Sequence, residues 1–281
     1  MNGFLLIDKP AGISSFDVIR SLRKISGMRK IGHAGTLDPF ATGLLICAFG
    51  QYTRLLKYAE ALDKSYEATL LLGKRSSTGD PEGEIIEEQD FAIGQVDNES
   101  LKARALSLEK LPLPIYSAIK IKGKRAYQYA REGQVLQMPD REVRIYDFNI
   151  LQQEGTYLSY NIRVSKGTYI RSFSEWLAQE LATIGMTIAL RRTAIGRLSV
   201  ANAHSLEGLE DINEKLCPVQ SVLARLPELH IEAIAAAAIR HGRSIPADGT
   251  NCGEYALYLD QDLVAIGESD GSQIKPRLVL E

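Results

Sequence analysis

The sequence predicts a mixed α+β fold, and three observations support this class. Two apolar runs, GLLICAFG (43–50) and SYEATLLLG (65–73), have the length expected of buried strands and are bounded by turn residues. Residues 14–25 place apolar side chains at helical spacing, and SFSEWLAQELATIG (172–185) reads as a second helix. Hydrophobic residues make up 45% of the 281 residues, which is ordinary globular composition.

The N-terminal elements follow in order. GFLLIDKP predicts a short strand that ends at Pro10, and Ser14 or Ser15 caps a helix that runs through Ile25. Residues 28–43 are expected to form a glycine-rich loop before the first buried strand. TRLLKYAEAL predicts a short helix between the two buried strands.

The middle of the chain is more polar. Residues 76–100 are acidic and rich in turn formers, so we expect them to be exposed, whereas residues 112–144 are basic and interleaved with tyrosines. LSYNIRVSKGTYIRS alternates as a strand or hairpin does, and the helix after it is expected to stop at Gly185.

The chain changes character around Pro218–Pro227, where we place a domain boundary near residue 226. An alanine-rich helix, EAIAAAAIRHG, and short strands such as EYALYLD and LVAIGE follow. We therefore predict two domains, 1–226 and 227–281. The second is small for an independent fold and is expected to pack on the first.

Composition argues against metal and disulfide chemistry. The three cysteines are scattered and odd in number, and the four histidines show no metal-ligand spacing. The first ten residues lack the pattern of a signal peptide, and no apolar run approaches the roughly 20 residues that span a bilayer. We expect a cytoplasmic protein with no zinc site and no membrane contact.

Charge is segregated along the chain. The net charge is +5 over residues 1–58, −8 over 59–100, +8 over 101–200 and −7 over 201–281. Two basic blocks between acidic ones indicate a polyanion-binding face. Chance segregation of solvated charge is the alternative.

Asp38, within GHAGTLDPFATG (32–43), is the only acidic residue between Asp17 and Glu60. A glycosidase of the usual kind needs a second carboxylate and a two-metal nuclease needs several, and neither partner set lies nearby in sequence. Two interpretations stay open at this point. Asp38 is an ionised carboxylate that acts alone as nucleophile or electrostatic stabiliser, or it is a plain Asp-Pro turn residue.

Several further stretches settle which protein family the sequence resembles. They are IDKPAGISSFDV, DKSYEATLLLGKRSSTGDPEG, PIYSAIKIKGKRAY, VSKGTYIRS and ALRRTAIG, in this order around GHAGTLDPFATG. Together they resemble the pseudouridine synthases of the bacterial tRNA pseudouridine-55 type (TruB type) over residues 3–197. The resemblance implies a catalytic domain with a central mixed or antiparallel sheet flanked by helices. It also implies a small β-rich, PUA-like RNA-binding domain at the C-terminus.

The resemblance also implies catalytic roles. Asp38 matches the family's nucleophile, Arg171 the arginine that pairs with it, and Tyr66 the active-site tyrosine that stacks on uracil and can take the proton from its C5. The reaction gains and loses no atom, so no cofactor or metal is implied. Whether Asp38 attacks C6 of the base or C1′ of the ribose stays open.

Further positions match the family's substrate pocket. Tyr169 and Leu190 line it, and His33 lies near the extracted nucleotide. Lys9 with Gly12 is expected to brace the catalytic loop, and Asp80 to join a polar network near the site.

The implied substrate is tRNA, whose T-arm uridine must be flipped out of the stack to react. Residues 112–144 resemble the family's RNA-gripping insertion, and four of its cations are expected to meet phosphates: Lys120, Lys122, Lys124 and Arg125. No protein partner is expected. Two alternatives remain, an RNA-binding factor that helps tRNA to fold and a synthase that acts on another RNA.

Overall fold

A computed structural model describes residues 1–91, 94, 97–117, 120–121, 124–126, 129, 138–247 and 249–280. For residues 120–121 and 124–125 it describes the backbone alone.

The described residues form a mixed α+β fold, as predicted. The helices are α1 (Ser15–Ser26), α2 (Leu56–Glu60), α3 (Asn98–Leu106), α4 (Ile170–Glu180), α5 (Val219–Val222) and α6 (Ala233–Arg240), with 3-10 turns at Gly50–Leu55, Val200–Asn202 and Asn213–Lys215. The strands are β1 (Gly3–Lys9), β2 (Ile31–Ala34), β3 (Thr42–Phe49), β4 (Lys64–Leu72), β5 (Lys74–Ser76), β6 (Ile85–Glu88), β7 (Lys110–Pro112), β8 (Lys120–Ile121), β9 (Lys124–Arg125), β10 (Asp140–Glu142), β11 (Ile145–Glu154), β12 (Tyr157–Val164), β13 (Gly185–Ile195), β14 (Leu198–Ser199), β15 (Glu228–His230), β16 (Ile245–Pro246), β17 (Gly253–Leu259), β18 (Asp262–Ser269) and β19 (Gln273–Val279).

The central sheet carries the residues of interest. Its strand order is β1-β3-β13-β4-β12-β11, with β2 beside β3 and β14 beside β13. The pairing is antiparallel except between β13 and β3, which run parallel, so the sheet is mixed as the family resemblance implies. The loop between β2 and β3 holds Asp38, while the neighbouring strands β4 and β13 hold Tyr66 and Leu190.

Helix α4 is fixed to this sheet by an aromatic cluster. Phe148, Tyr160 and Phe173 lie with ring centroids 5.3–5.6 Å apart, and all three are fully buried. The Tyr160 hydroxyl shares a hydrogen bond of 2.7 Å with Ser174 of the helix. Aromatic pairs of this kind contribute about 0.5–1.5 kcal/mol each beyond area burial, so the position of Arg171 in the first turn is well determined.

Helix α1 begins and ends where the sequence predicts. The Ser14 hydroxyl accepts a hydrogen bond from the Asp17 N–H, and the Asp17 carboxylate accepts one from the Ser14 N–H, which forms a capping box. The helix ends at Gly27, whose φ of 68° is the left-handed conformation that glycine adopts most easily.

Three sequence-based expectations need correction. Residues 28–43 are not all loop, because residues 31–34 form β2 and pair with residues 46–49 of β3. Residues 76–100 are exposed over most of their described length, as expected, but Ser76 and Asp80 are buried. The helix over 53–62 is shorter than predicted, because a 3-10 turn occupies residues 53–55 and the α-helix ends at Glu60.

The end of α4 also differs from the prediction. The helix ends at Glu180, and Ala182 takes the left-handed position with a φ of 57°, so Gly185 is not the stop. Gly185 instead begins β13, where a Cβ would lie 2.7 Å from Leu70 and 2.9 Å from Ala178. Because Gly185 has no side chain, helix α4 can pack closely on the central sheet.

Residues 228–279 form a second sheet in the order β15-β17-β18-β19-β16. The alanine-rich helix and both quoted strands are present as predicted. Tyr258 and Ile266 of this sheet share an apolar cluster with Phe4 and Ile46 of the first, so the two parts pack together. A domain boundary near residue 226 stays a prediction. Within the described part of the chain, no helix is long and apolar enough to cross a membrane.

Candidate active site

The loop that carries Asp38 is braced from the N-terminal strand. The fully buried Lys9 donates hydrogen bonds from Nζ to the carbonyls of Ile13 (2.7 Å) and Pro39 (3.2 Å), and the Gly12 N–H also donates to Pro39 (2.9 Å). Burial lowers the pKa of Lys9 to about 8. These contacts support the bracing role predicted for Lys9 and Gly12.

Replacing Lys9 with methionine is expected to lower the free energy of unfolding by about 2–4 kcal/mol, because buried carbonyls lose their donor. Chemical denaturation measures this loss. Lys24→Met, at an exposed lysine of α1, is the matched control and should change stability by about 0.5 kcal/mol or less. Equal effects of the two changes would contradict the bracing role.

Asp38 and Arg171 form a two-pronged ion pair, as the family resemblance implies. Arg171 Nε lies 3.0 Å from Asp38 Oδ2, and Arg171 Nη2 donates to Asp38 Oδ1 at 3.3 Å. The arginine side chain is only 4% exposed, whereas the carboxylate keeps 34% of its surface open. The guanidinium is therefore fixed in the protein, and the carboxylate presents a free edge to a substrate.

Arg171 is itself held at every edge of its guanidinium. Nη1 pairs with Asp80 Oδ2 at 3.1 Å and donates to the Thr78 carbonyl at 2.8 Å, while Nη2 donates to the Tyr116 carbonyl at 3.0 Å. Asp80 is buried and also accepts hydrogen bonds from the Thr78 hydroxyl and the Glu82 N–H. The predicted polar network around Asp80 is thus present in the structure, with Arg171 at its centre.

Local sequence explains why Arg171 points here. Gly167 has a φ of 78°, the left-handed conformation that glycine adopts most easily, so this turn favours glycine. The Thr168 hydroxyl donates to the Ser165 carbonyl at 3.0 Å and closes the turn. Helix α4 starts two residues later and carries Arg171 in its first turn.

Two opposing effects act on the Asp38 carboxyl. Burial raises its pKa above the ordinary value, and the neighbouring Arg171 charge opposes that rise. Asp80 adds a smaller effect that also raises the pKa of Asp38. Arg171 is accordingly the main group that favours the ionised, nucleophilic form, and Lys9 adds a smaller effect in the same direction.

Asp38 opens into a cavity of about 840 Å³ that also contains Tyr66, Tyr169 and Leu190. Tyr66 and Leu190 are buried, and Tyr169 is half-buried. Burial raises the pKa of the Tyr169 hydroxyl. The structure therefore brings together the three predicted pocket residues and the predicted nucleophile.

Sequence reasoning missed several cations that line the same cavity. They are Lys57, Lys64, Arg141, Lys166 and Arg192. Arg192 is almost fully buried, donates to the carbonyls of Leu44 (2.7 Å) and Gly35 (3.1 Å), and lies directly across from Tyr66 in the sheet register. Burial and, to a smaller extent, the Arg192 charge lower the pKa of Lys64 to about 8. The motif ALRRTAIG contained Arg192, but sequence gave no sign of which side chain would be buried.

His33 is placed differently from the other predicted residues. It lies on β2 opposite Cys47 and is not among the residues that line the described cavity. Its Nδ1 is buried without a hydrogen-bond partner among the described residues, and burial lowers its pKa. A substrate contact by His33 therefore stays a prediction.

The four predicted phosphate-binding residues lie between residues 118 and 137, of which the structure describes only a few residues. The backbone of Lys120, Lys124 and Arg125 forms the hairpin β8–β9, and Lys122 lies outside the described residues. Strands β7 and β10, which flank this segment in sequence, pair antiparallel. In the described part of the chain, no cluster of three or more His, Cys, Asp or Glu side chains is arranged to hold a metal ion.

Comparison with known families identifies the class of enzyme. The family model described as TruB family pseudouridylate synthase (N-terminal domain) matches residues 23–170. Curated relatives named tRNA pseudouridine synthase B extend the match: the protein of Azoarcus sp. (strain BH72) is 35% identical over 100% of this chain and 95% of its own length. That of Thermobifida fusca (strain YX) is 35% identical over 99% of this chain and 98% of its own length.

The protein is thus a pseudouridylate synthase, an isomerase. Within that class, the chain belongs to the TruB family.

Solved structures agree on the fold. A chain in a Cbf5-Nop10-Gar1 complex aligns with a TM-score of 0.72 and 22% identity, over 99% of this chain and 84% of its own length. A chain in an H/ACA RNP bound to a substrate RNA containing 2′-deoxyuridine aligns with a TM-score of 0.71 and 22% identity, over 99% and 85%. The predicted pseudouridine synthase fold is confirmed.

Proposed function

We propose that this isomerase converts uridine 55 in the T-loop of tRNA to pseudouridine. The observation that carries the proposal is the Asp38–Arg171 ion pair, 3.0 Å apart and open to a cavity large enough for a nucleotide. The relatives that span the whole chain are named tRNA pseudouridine synthase B, which supports tRNA as the substrate.

The reaction breaks the N1–C1′ bond of uridine and forms a C5–C1′ bond. Asp38 adds to the base or the ribose, and this covalent link holds the fragment while the uracil turns over. The bond to Asp38 breaks as or after the C5–C1′ bond forms, which regenerates the free carboxylate. The proton on C5 then leaves, and N1 ends with a proton, so atoms balance without a co-reactant. Confinement in the cavity makes the second bond-forming step effectively unimolecular.

Arg171 and Asp80 prepare the nucleophile. The fork of Arg171 orients the carboxylate and favours its ionised form, and Asp80 holds the arginine from the opposite side. Since Asp80 is buried and does not line the cavity, we assign it a positioning role rather than contact with the substrate.

Tyr66 is proposed to act on the turned base. Its ring lines the cavity beside Leu190 of the neighbouring strand, which suits stacking on uracil, and its hydroxyl is the proposed acceptor of the C5 proton. Leu190 and Tyr169 are proposed to close the floor and wall around the base.

Tyr66→Phe is expected to lower kcat by about 10²–10⁴-fold, the usual contribution of a general base, while KM stays close to its original value. Tyr66→Leu should also raise KM, because it removes the stacking ring. Steady-state kinetics with a T-arm RNA separates the two. Wild-type kcat in Tyr66→Phe would assign the C5 proton to another group.

The substrate must present an extruded base, which costs a few kcal/mol of unstacking. We propose that ion pairs with RNA phosphates offset this free energy. The cations around the cavity would supply some of them. The others would come from the predicted contacts of Lys120, Lys122, Lys124 and Arg125. Residues 227–281 are proposed to be a PUA-like RNA-binding domain, separate from a catalytic domain over 1–226. A cytoplasmic location follows as part of the same proposal.

The direct test maps pseudouridine in T-arm RNA after treatment with purified protein, without added metal or nucleotide. Conversion at position 55 is the expected result. A matched ribosomal RNA hairpin serves as the control substrate. Faster conversion of the hairpin would assign the enzyme to another RNA, and no conversion of either RNA would contradict the proposed function.

A further inference from the structure

Ser117 is a buried side chain in the catalytic cavity that the reaction scheme above does not use. Its exposed fraction is 6%, and it lines the same cavity as Asp38 and Tyr66. Its Oγ has no hydrogen-bond partner among the described residues. Its backbone N–H is paired, because it donates to the Ile115 carbonyl at 3.0 Å.

An unpaired buried hydroxyl is costly, and proteins rarely keep one. Among the described residues, the Tyr258 hydroxyl in the C-terminal sheet is also buried without a partner, whereas several buried serine hydroxyls are paired. Ser174 bonds with Tyr160 and Thr187 at 2.7 and 2.8 Å, and Ser269 bonds with Thr250 at 2.8 Å. Ser117 departs from this pattern at the place where a substrate must enter.

The position of Ser117 is set by the catalytic arginine. Arg171 Nη2 donates to the carbonyl of Tyr116, the preceding residue, at 3.0 Å. The Leu113 N–H donates to the Pro139 carbonyl at 3.2 Å, next to the paired strands β7 and β10. The same guanidinium therefore fixes both the nucleophile and the segment that carries the free hydroxyl.

We propose that the Ser117 hydroxyl hydrogen-bonds the target nucleotide in the cavity and positions it against Asp38. A hydroxyl both donates and accepts, so its partner is a carbonyl oxygen of the uracil or the 2′-hydroxyl of the ribose. Ser117 is then a substrate-binding residue, unpaired in the free protein because the nucleotide supplies its partner. The proposal rests on the proposed function.

The first test compares two serine-to-alanine changes in the full chain. Ser117→Ala should lower kcat/KM by about tenfold, the factor that one hydrogen bond of ordinary strength supplies, and should leave Tm unchanged or raised. Ser269→Ala, at a buried and paired serine of the C-terminal sheet, should lower Tm and leave kcat/KM unchanged. A structural role for Ser117 predicts the opposite, a lowered Tm.

Ser117→Cys tests whether the lower kcat/KM comes from the missing hydrogen bond or from a change in side-chain size. Its thiol has a similar size but donates weakly, so it should lose activity nearly as far as Ser117→Ala. Wild-type kcat/KM in both variants would overturn the proposal.

The second test identifies the partner atom with T-arm RNAs that carry 2-thiouridine, 4-thiouridine or 2′-deoxyuridine at the target position. Each modification is combined with Ser117→Ala in a double-mutant cycle of single-turnover rates and binding. Non-additivity with a thio-base assigns the contact to that carbonyl, and non-additivity with the deoxyribose assigns it to the 2′-hydroxyl. Full additivity with all three overturns the proposal. Failure of the wild-type protein to convert unmodified RNA would instead contradict the proposed function.

Discussion

Asp38→Asn is expected to lower turnover by about 10⁴-fold or more, while tRNA binding and the free energy of unfolding change little. The amide keeps the shape of the carboxylate and can still face Arg171, but it cannot attack carbon. Pseudouridine formation measured over hours, with RNA binding measured by filter retention, checks both parts. The variant should also fail to form a covalent adduct with RNA.

The chain offers a close control for this substitution. Asp8 forms a two-pronged pair with Arg191 at 3.0 and 2.7 Å and is 33% exposed, close to the 34% of Asp38, but it does not line the catalytic cavity. Asp8→Asn should leave kcat/KM within about twofold of the wild type. Wild-type turnover in Asp38→Asn would return Asp38 to the status of a turn residue.

This pair of variants also tests the folding-factor alternative. An RNA-binding protein that acts only on folding would lose nothing in Asp38→Asn, because the cationic cavity lining is intact. Loss of cellular function in that variant would assign the function to catalysis. Retained cellular function with no pseudouridine would assign it to binding.

Local pattern predicted the parts of the fold that are determined locally. The capping box at Ser14 and the glycine at the end of α1 are read from neighbouring residues, and both are present. Strand β2 escaped prediction because its stability comes from pairing with residues 46–49, a tertiary contact. Helix α4 ends without a glycine because Ala182 adopts the left-handed conformation. An alanine in the sequence does not predict that conformation.

The site was predictable only as far as the family motifs reach. Asp38 and Arg171 lie 133 positions apart, and no periodicity or spacing connects them. Ser117 and Arg192 both lie inside recognised motifs, and both are buried. Ser117 stands out because its buried hydroxyl is unpaired, and Arg192 because its buried guanidinium donates to backbone carbonyls. Such properties exist only once the chain is folded.

Arg171→Lys is the second substitution with a large expected effect. A lysine ammonium is a point charge and cannot hold Asp38, Asp80 and the Tyr116 carbonyl at once, as the guanidinium does. We expect kcat/KM to fall by about 10²–10³-fold, which corresponds to about 3–4 kcal/mol of lost transition-state stabilisation. Steady-state kinetics on T-arm RNA measures this loss.

Arg171→Met removes the charge altogether and tests the electrostatic part of the role. Burial and the Asp80 charge both raise the pKa of Asp38, and Arg171 is the main effect that opposes them. Activity requires the ionised carboxylate, so it is present above the pKa of Asp38 and lost as the pH falls through that pKa. Removing the guanidinium should therefore move the acid limb of the pH–rate profile to higher pH. An unmoved acid limb would mean that Arg171 does not control the ionisation of Asp38.

Stability separates this electrostatic role from a structural one. Arg171→Met leaves Asp80 buried without its cation, which is expected to cost about 3–5 kcal/mol of unfolding free energy. Adding Asp80→Asn removes the unpaired charge and should restore much of that loss, measured by chemical denaturation. Activity should not return with it, because Asp38 still lacks the cation that holds it ionised and in place. If the double variant recovered both stability and turnover, the arginine would matter only as a counter-charge for Asp80, and the nucleophile would need another partner.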